Sequence, residues 1–166
     1  GIFGFIFSSY FDVLSGYFFI LGFGWLVTSA VLFIGSFSKS KNKNSFQLGY
    51  GNALIIGASQ VIALVPGVSR SGMTISSGLF FGLKEKQAIL FSYLLAIPVI
   101  IGANLVTFNN KTISAELLLP TIVCFFISLI FMNFSFKYVL NNRKNLIWFG
   151  LYTLLLGLAL ILFEII

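Results

Sequence analysis

From Leu146 to Phe163 the chain runs without a charged residue, and it does so again over Tyr17–Phe37, Gln87–Phe108 and Leu117–Phe136. No other feature narrows the choice of folds so far. A helix rising 1.5 Å per residue needs about 20 apolar residues to cross a hydrocarbon core about 30 Å thick. Inside lipid the backbone must satisfy its own hydrogen bonds, and for a lone segment only a helix does so. The expected fold is an all-α membrane protein, a polytopic helical bundle. Residues 1–166 form one transmembrane domain, with spanning helices at 17–37, 87–108, 117–136 and 146–163. Charged residues make up 8% of the chain, against about a quarter in soluble domains. The net charge of +6 would suit nucleic acid if it formed one patch. Instead the basic residues sit in short clusters between apolar runs, the pattern of loops beside a membrane, so no nucleic-acid partner is expected.

The remaining composition excludes chemistry. There is no histidine, one cysteine (Cys124) and four acids: Asp12, Glu85, Glu116 and Glu164. One cysteine makes no disulfide framework, and without histidine no soft metal site can assemble within this chain. The opening "GIFGFIFSSYF" starts at glycine with no basic segment before it, unlike a signal peptide. Ile2–Phe11 is too short to span, so it reads as the end of a longer helix and the chain as N-terminally truncated.

The middle of the chain, 46–83, decides the topology. Phe46–Val65 is apolar but softened by Gly49, Gly51, Asn52, Gly57, Ser59 and Gln60, and Gly72–Leu83 is a second apolar piece. That second piece reaches only about 18 Å as a helix, short of the hydrocarbon core. If 46–83 crossed once, Lys39, Lys41, Lys43 and Lys111 would share one side, opposite Lys84, Lys86, Lys137, Arg143 and Lys144. That leaves no charge bias. If it enters and leaves on one face, all of these gather there except Lys111, as the positive-inside rule prefers. The expectation is a re-entrant helix hairpin over 46–83, broken at Pro66, which disfavours helix at Val65 and lacks an N–H.

The hairpin tip carries the polar cluster of the chain, "LVPGVSRSGMTISSG" from Leu64 to Gly78. A helix starting near Ser71–Gly72 offers unpaired N–H groups and a partial positive charge to an anion. Ser69 or Ser71 can cap it. Arg70 adds a fixed cation whose planar fork suits phosphate. Thr74 follows Ser71 on nearly the same helix face, and Gly67 and Gly72 let backbone approach a ligand. Serines and glycines alone would serve helix packing equally well. An arginine at this depth is costly and marks a functional site. Gln60 suits either substrate contact or an interhelical hydrogen bond. Asn52 and Asn104 read as packing or interhelical contacts, Ser92 as a small packing residue, Cys124 as an inert small hydrophobe, Trp25 and Trp148 as interface anchors or lipid-facing surface, and Glu85 as solvated with Lys84 and Lys86.

These residues also carry a resemblance. "GASQVIALVPGVSRSGMTISSGLFFGL" (Gly57–Leu83) followed by "AILFSYLLAIPVIIGA" (Ala88–Ala103) resembles the undecaprenyl-diphosphate phosphatase family of the bacitracin-resistance type. The shared pattern is a glutamine, a Pro-Gly-x-Ser-Arg-Ser-Gly-x-Thr stretch and a Phe-Ser-(Phe/Tyr)-Leu-Leu-Ala-(Ile/Val)-Pro stretch. The resemblance implies a bacterial inner-membrane, multi-pass enzyme with two inverted repeats, each holding a re-entrant hairpin, of which this chain supplies about the C-terminal two-thirds. It implies hydrolysis of undecaprenyl diphosphate to undecaprenyl phosphate and inorganic phosphate, recycling the lipid carrier of peptidoglycan. Ser69, Arg70 and Thr74 would be the catalytic positions, with Ser71, Gly72 and Gln60 binding substrate. Magnesium or calcium would be the cofactor, its ligands outside this chain. The partners implied are a polyprenyl diphosphate lipid and the membrane, with a homodimer left open. The family's (Glu/Gln)-x-x-x-Glu and Pro-x-Ser-Ser-x-x-His stretches are missing here, so the resemblance assigns this chain phosphate binding and charge neutralisation. A transporter or flippase of an anionic lipid or phosphate is the alternative that broken helices also fit.

Overall fold

The computed structural model describes residues 18–39, 43–107, 118–135, 137 and 142–165. The expectations for Ile2–Phe11, Asp12, Lys41, Lys111 and Glu116 fall outside them. Among the described residues there are six α-helices: α1 (Phe18–Phe37), α2 (Tyr50–Ile62), α3 (Arg70–Phe80), α4 (Glu85–Thr107), α5 (Leu118–Phe134) and α6 (Leu146–Ile165). Single 3-10 turns precede α2 and α6, at Ser45–Gln47 and Arg143–Asn145. The protein is all-α, and its segments Phe18–Phe37, Glu85–Leu105 and Arg143–Glu164 are long and apolar enough to cross a membrane. Helix α5, expected to span over 117–136, has 17 residues, about 25 Å of rise.

The segment between α1 and α4 folds as a hairpin. Its arms, α2 with 13 residues and α3 with 11, reach about 20 and 17 Å, and neither spans a core about 30 Å thick. Their bases are tied together: the Lys43 N–H donates to the Gly82 carbonyl at 3.1 Å, and the Lys84 N–H to the Lys43 carbonyl at 3.0 Å. Entry and exit of the hairpin therefore lie at one end of the molecule. The basic loops meet there too, because Arg143 Nε donates to Glu85 Oε1 at 2.8 Å and Arg143 Nη1 to the Ser38 carbonyl at 2.6 Å. Glu85 is thus not solvated between its lysine neighbours as expected. It is half-buried in an ion pair that joins the start of α4 to the start of α6.

Lipid gives no hydrophobic drive for one helix to join another, so close packing and buried hydrogen bonds hold such bundles together. Helices α1 and α6 run antiparallel with small residues at the seam. A Cβ on Gly22 would lie 2.9 Å from the Gly157 carbonyl oxygen. Seven residues along each helix, the buried Ser29 hydroxyl donates to the Gly150 carbonyl at 2.8 Å. On its other flank α1 receives α3, where Gly35 meets Ser76. Ile56, Ile75, Leu79, Leu83, Ile89 and Leu146 form an apolar core beside this seam.

Candidate active site

The tip of the hairpin is built by backbone chemistry. Helix α2 stops at Ile62, three residues before the expected end at Val65. Continuing it would drive the Pro66 ring into the carbonyl four residues back, that of Ile62. The Val68 N–H then donates to the Val65 carbonyl at 3.1 Å, closing a turn over Pro66 and Gly67. Gly67 has φ +87°. Proline followed by a positive-φ glycine is the signature of a type II turn. The turn lies directly on α1: a Cβ on Gly24 would strike the Pro66 carbonyl oxygen, and one on Gly67 the Leu21 carbonyl oxygen. Gly24 stands 13 positions before Phe37, the basic end of α1. The tip therefore sits about 20 Å deep from that end.

Helix α3 starts from this turn. Ser69 is its N-cap, and its Oγ accepts from the Gly72 N–H at 3.1 Å. That leaves the Arg70 and Ser71 N–H groups without an intrahelical acceptor. The cap is fixed from α1. Thr28, 3% exposed, accepts the Ser69 N–H on its Oγ1 at 2.9 Å. The same hydroxyl donates toward the Gly67 carbonyl at 3.1 Å and the Gly24 carbonyl at 3.0 Å. Ser69, Ser71, Gly72 and Thr28 form one wall of a groove of about 360 Å³ between α1, α3 and α6. Thr153, Tyr93 and Ser135 add hydroxyls, and Leu32, Ile75, Leu146 and Phe149 add apolar surface. The groove thus joins a dipolar helix start to a greasy channel, which suits an amphipathic anion. Arg70 is exposed at the first position of α3. Among the described residues its guanidinium makes no hydrogen bond or ion pair.

A family model described as bacitracin resistance protein BacA matches residues 1–159. The chain belongs to this family. It is similar to the undecaprenyl-diphosphatase of Thermosipho africanus (strain TCF52B), 36% identical over 157 residues, which are 95% of this chain and 62% of that protein. The undecaprenyl-diphosphatase of Carboxydothermus hydrogenoformans (strain ATCC BAA-161 / DSM 6008 / Z-2901) is 32% identical over 151 residues, 87% of this chain and 58% of that protein. Undecaprenyl-diphosphatase 1 of Bacillus licheniformis is 36% identical over 145 residues, 84% of this chain and 53% of that protein. The chain spans less than two-thirds of each.

The BacA motif does not converge as one set in this fold. Ser69, Ser71 and Gly72 line the groove, and Arg70 stands beside them. Thr74 is 2% exposed and turns away from the groove. Its Oγ1 lies 2.6 Å from the Ser92 hydroxyl of α4 and donates to the Arg70 carbonyl at 3.1 Å when not donating to Ser92. Ser92 is therefore a hydrogen-bonding partner that fixes the base of the first turn of α3, beyond the packing role expected of it. Gln60 on α2 keeps its Oε1 buried without a partner among the described residues.

Thr28 and Trp25 are among the groove residues that escaped the sequence. Thr28 lies 41 positions from Ser69, and one threonine in an apolar run carries no signal of its own. Trp25, expected as an interface anchor, lines the groove instead and packs edge-on against Tyr152 at a centroid distance of 6.1 Å. Asn104 bonds the Ile100 carbonyl of its own helix at 2.8 Å and holds no other helix through that bond. Among the described residues no three of His, Cys, Asp and Glu stand together to hold a metal ion. Glu85 is tied to Arg143 at the basic end, so among the described residues the tip brings hydroxyls and a cation without a carboxylate. These residues do not form a divalent-ion site.

Proposed function

We propose that this BacA-family chain forms the phosphate-binding part of a membrane phosphatase. The reaction is hydrolysis of undecaprenyl diphosphate to undecaprenyl phosphate and inorganic phosphate, which returns the lipid carrier to peptidoglycan synthesis at the bacterial inner membrane. One observation carries it: a hydroxyl-capped helix start with an exposed, unpaired arginine, on a hairpin tip packed against α1 at the mouth of a hydroxyl-rich, partly apolar groove. Its relatives named undecaprenyl-diphosphatase support the same reaction.

The chemistry follows from charge. Hydrolysis breaks the bond between the bridging oxygen and the terminal phosphorus, and negative charge spreads over the phosphoryl oxygens. Arg70 neutralises it with a planar donor fork. The Arg70 and Ser71 N–H groups and the Ser71 hydroxyl donate to the same oxygens, and the α3 dipole favours their charge. Preorganised donors of this kind supply most of the stabilisation in such reactions. Activation of water falls to residues other than these. Magnesium or calcium is proposed as the cofactor, with ligands outside this chain. The tip lies nearer the end away from the basic loops, which supports a site opening on the outer face.

The test gives full-length protein a polyprenyl diphosphate in vesicles and measures free phosphate. The expected result is one phosphate per lipid consumed. Intact lipid moved between leaflets with no phosphate released would support a flippase instead.

A further inference from the structure

We infer that Thr28 is a positioning residue of the phosphate site, the α1 side chain that sets the start of α3 against the groove. The inference rests on the phosphatase reading for its kinetic consequence and on geometry alone for its structural one.

The tip has few means of holding its place. Its arms are helices tied at their base, about 20 Å away along α1. Glycine at 24 and 67 lets the turn lie on α1 by backbone contact, which sets a distance but no register. The Thr28 hydroxyl sets the register. It accepts the N–H of Ser69, the residue whose side chain caps α3, and its proton is shared between the Gly67 and Gly24 carbonyls. One oxygen therefore joins the turn to the cap of α3 and ties both to α1. Thr28 is 3% exposed, and the Ser69 N–H and the Gly67 carbonyl both lose this partner if its hydroxyl is removed. The groups it orients are those that meet phosphate: the Ser69 cap, the free N–H groups of Arg70 and Ser71, and the Arg70 side chain that follows.

Three substitutions in full-length protein separate this role from simple packing. Thr28→Val keeps the shape and removes the hydroxyl. Thr28→Ser keeps the hydroxyl. Ser29→Ala, one residue on, removes a buried hydroxyl that binds α6 at Gly150 and does not touch the tip. Each is assayed for kcat and KM on a polyprenyl diphosphate, and for hydrogen–deuterium exchange over 66–72. Thr28→Val is expected to lower kcat by about tenfold to a hundredfold, the scale of a misplaced catalytic group, and to speed exchange of the tip peptide. Thr28→Ser is expected to restore both, and Ser29→Ala to lower melting temperature while leaving kcat and tip exchange as in the parent. Unchanged tip exchange in Thr28→Val, or equal kcat losses in Thr28→Val and Ser29→Ala, overturns the inference. If tip exchange responds as stated but the parent protein releases no phosphate, the anchoring stands and the phosphatase reading is what fails.

Discussion

Arg70 is where sequence and geometry converge most closely on chemistry. It is the first residue of α3, exposed, and unpaired among the described residues. Replacing it with alanine is expected to lower phosphate release by about a hundredfold or more, the scale of losing one preorganised donor to a developing anion. Arg70→Lys keeps the charge but not the planar fork, and about a tenfold loss is expected. Equal rates in parent and Arg70→Lys protein would mean that charge alone matters. The start of α3 was legible in sequence because one short stretch holds its parts: proline and glycine to turn the chain, serine to cap, and an arginine at the first helical position. Of the two serines that could cap, the backbone chose Ser69, because α3 begins at Arg70. Thr74 was read onto the site from its spacing after Ser71. Its orientation depends on Ser92, 18 positions away on α4, and helical periodicity carries no information about such a partner. Thr28 was invisible for the same reason.

Among the elements, the hairpin is the one read in the sequence from length and charge alone. A second arm too short to cross, with basic residues on either side, was enough to expect a return to the same end, and the Lys43–Leu83 bridge joins the two bases there. The ends of the arms were less legible: α2 stops at Ile62 because the effect of Pro66 reaches four residues back. The contact between tip and α1 could not be read, since glycines are spread throughout the chain and only some meet backbone. Gly24 and Gly67 do. Gly24→Ala is expected to push the turn off α1, lowering both melting temperature and turnover. Gly51→Ala, on the α2 arm of the hairpin with nothing within 4 Å of its Cβ position, should change neither. Thermal unfolding in detergent, read with phosphate release, distinguishes them, and equal behaviour of the two variants would contradict the contact.

At the scale of the whole molecule, the basic loops gather at one end and the tip reaches toward the other. Thiol-reactive probes applied from one side of oriented vesicles should label Lys39→Cys and Lys84→Cys together, and Glu164→Cys from the opposite side. Labelling of positions 39 and 84 from opposite sides would make 46–83 a crossing segment. The ion pair of Arg143 with Glu85 closes the basic end, with side chains 11% and 27% exposed. Glu85→Gln should cost about 1–3 kcal/mol of stability, because it removes one partner from a largely buried charge. Thermal unfolding measures that cost, and turnover per folded molecule should stay the same because the site lies at the other end of α1. The phosphatase reading then rests on one proposed spatial relation, a cationic helix start facing a doubly phosphorylated lipid beside the groove. Solid-state NMR measures it directly, through the ³¹P–¹⁵N distance between a bound, non-hydrolysable polyprenyl methylenediphosphonate and the Arg70 guanidinium of full-length protein in bilayers. A distance of about 4 Å, as a charge-assisted N–H···O contact requires, is the predicted result. Bound ligand whose phosphorus shows no coupling to Arg70 would contradict it.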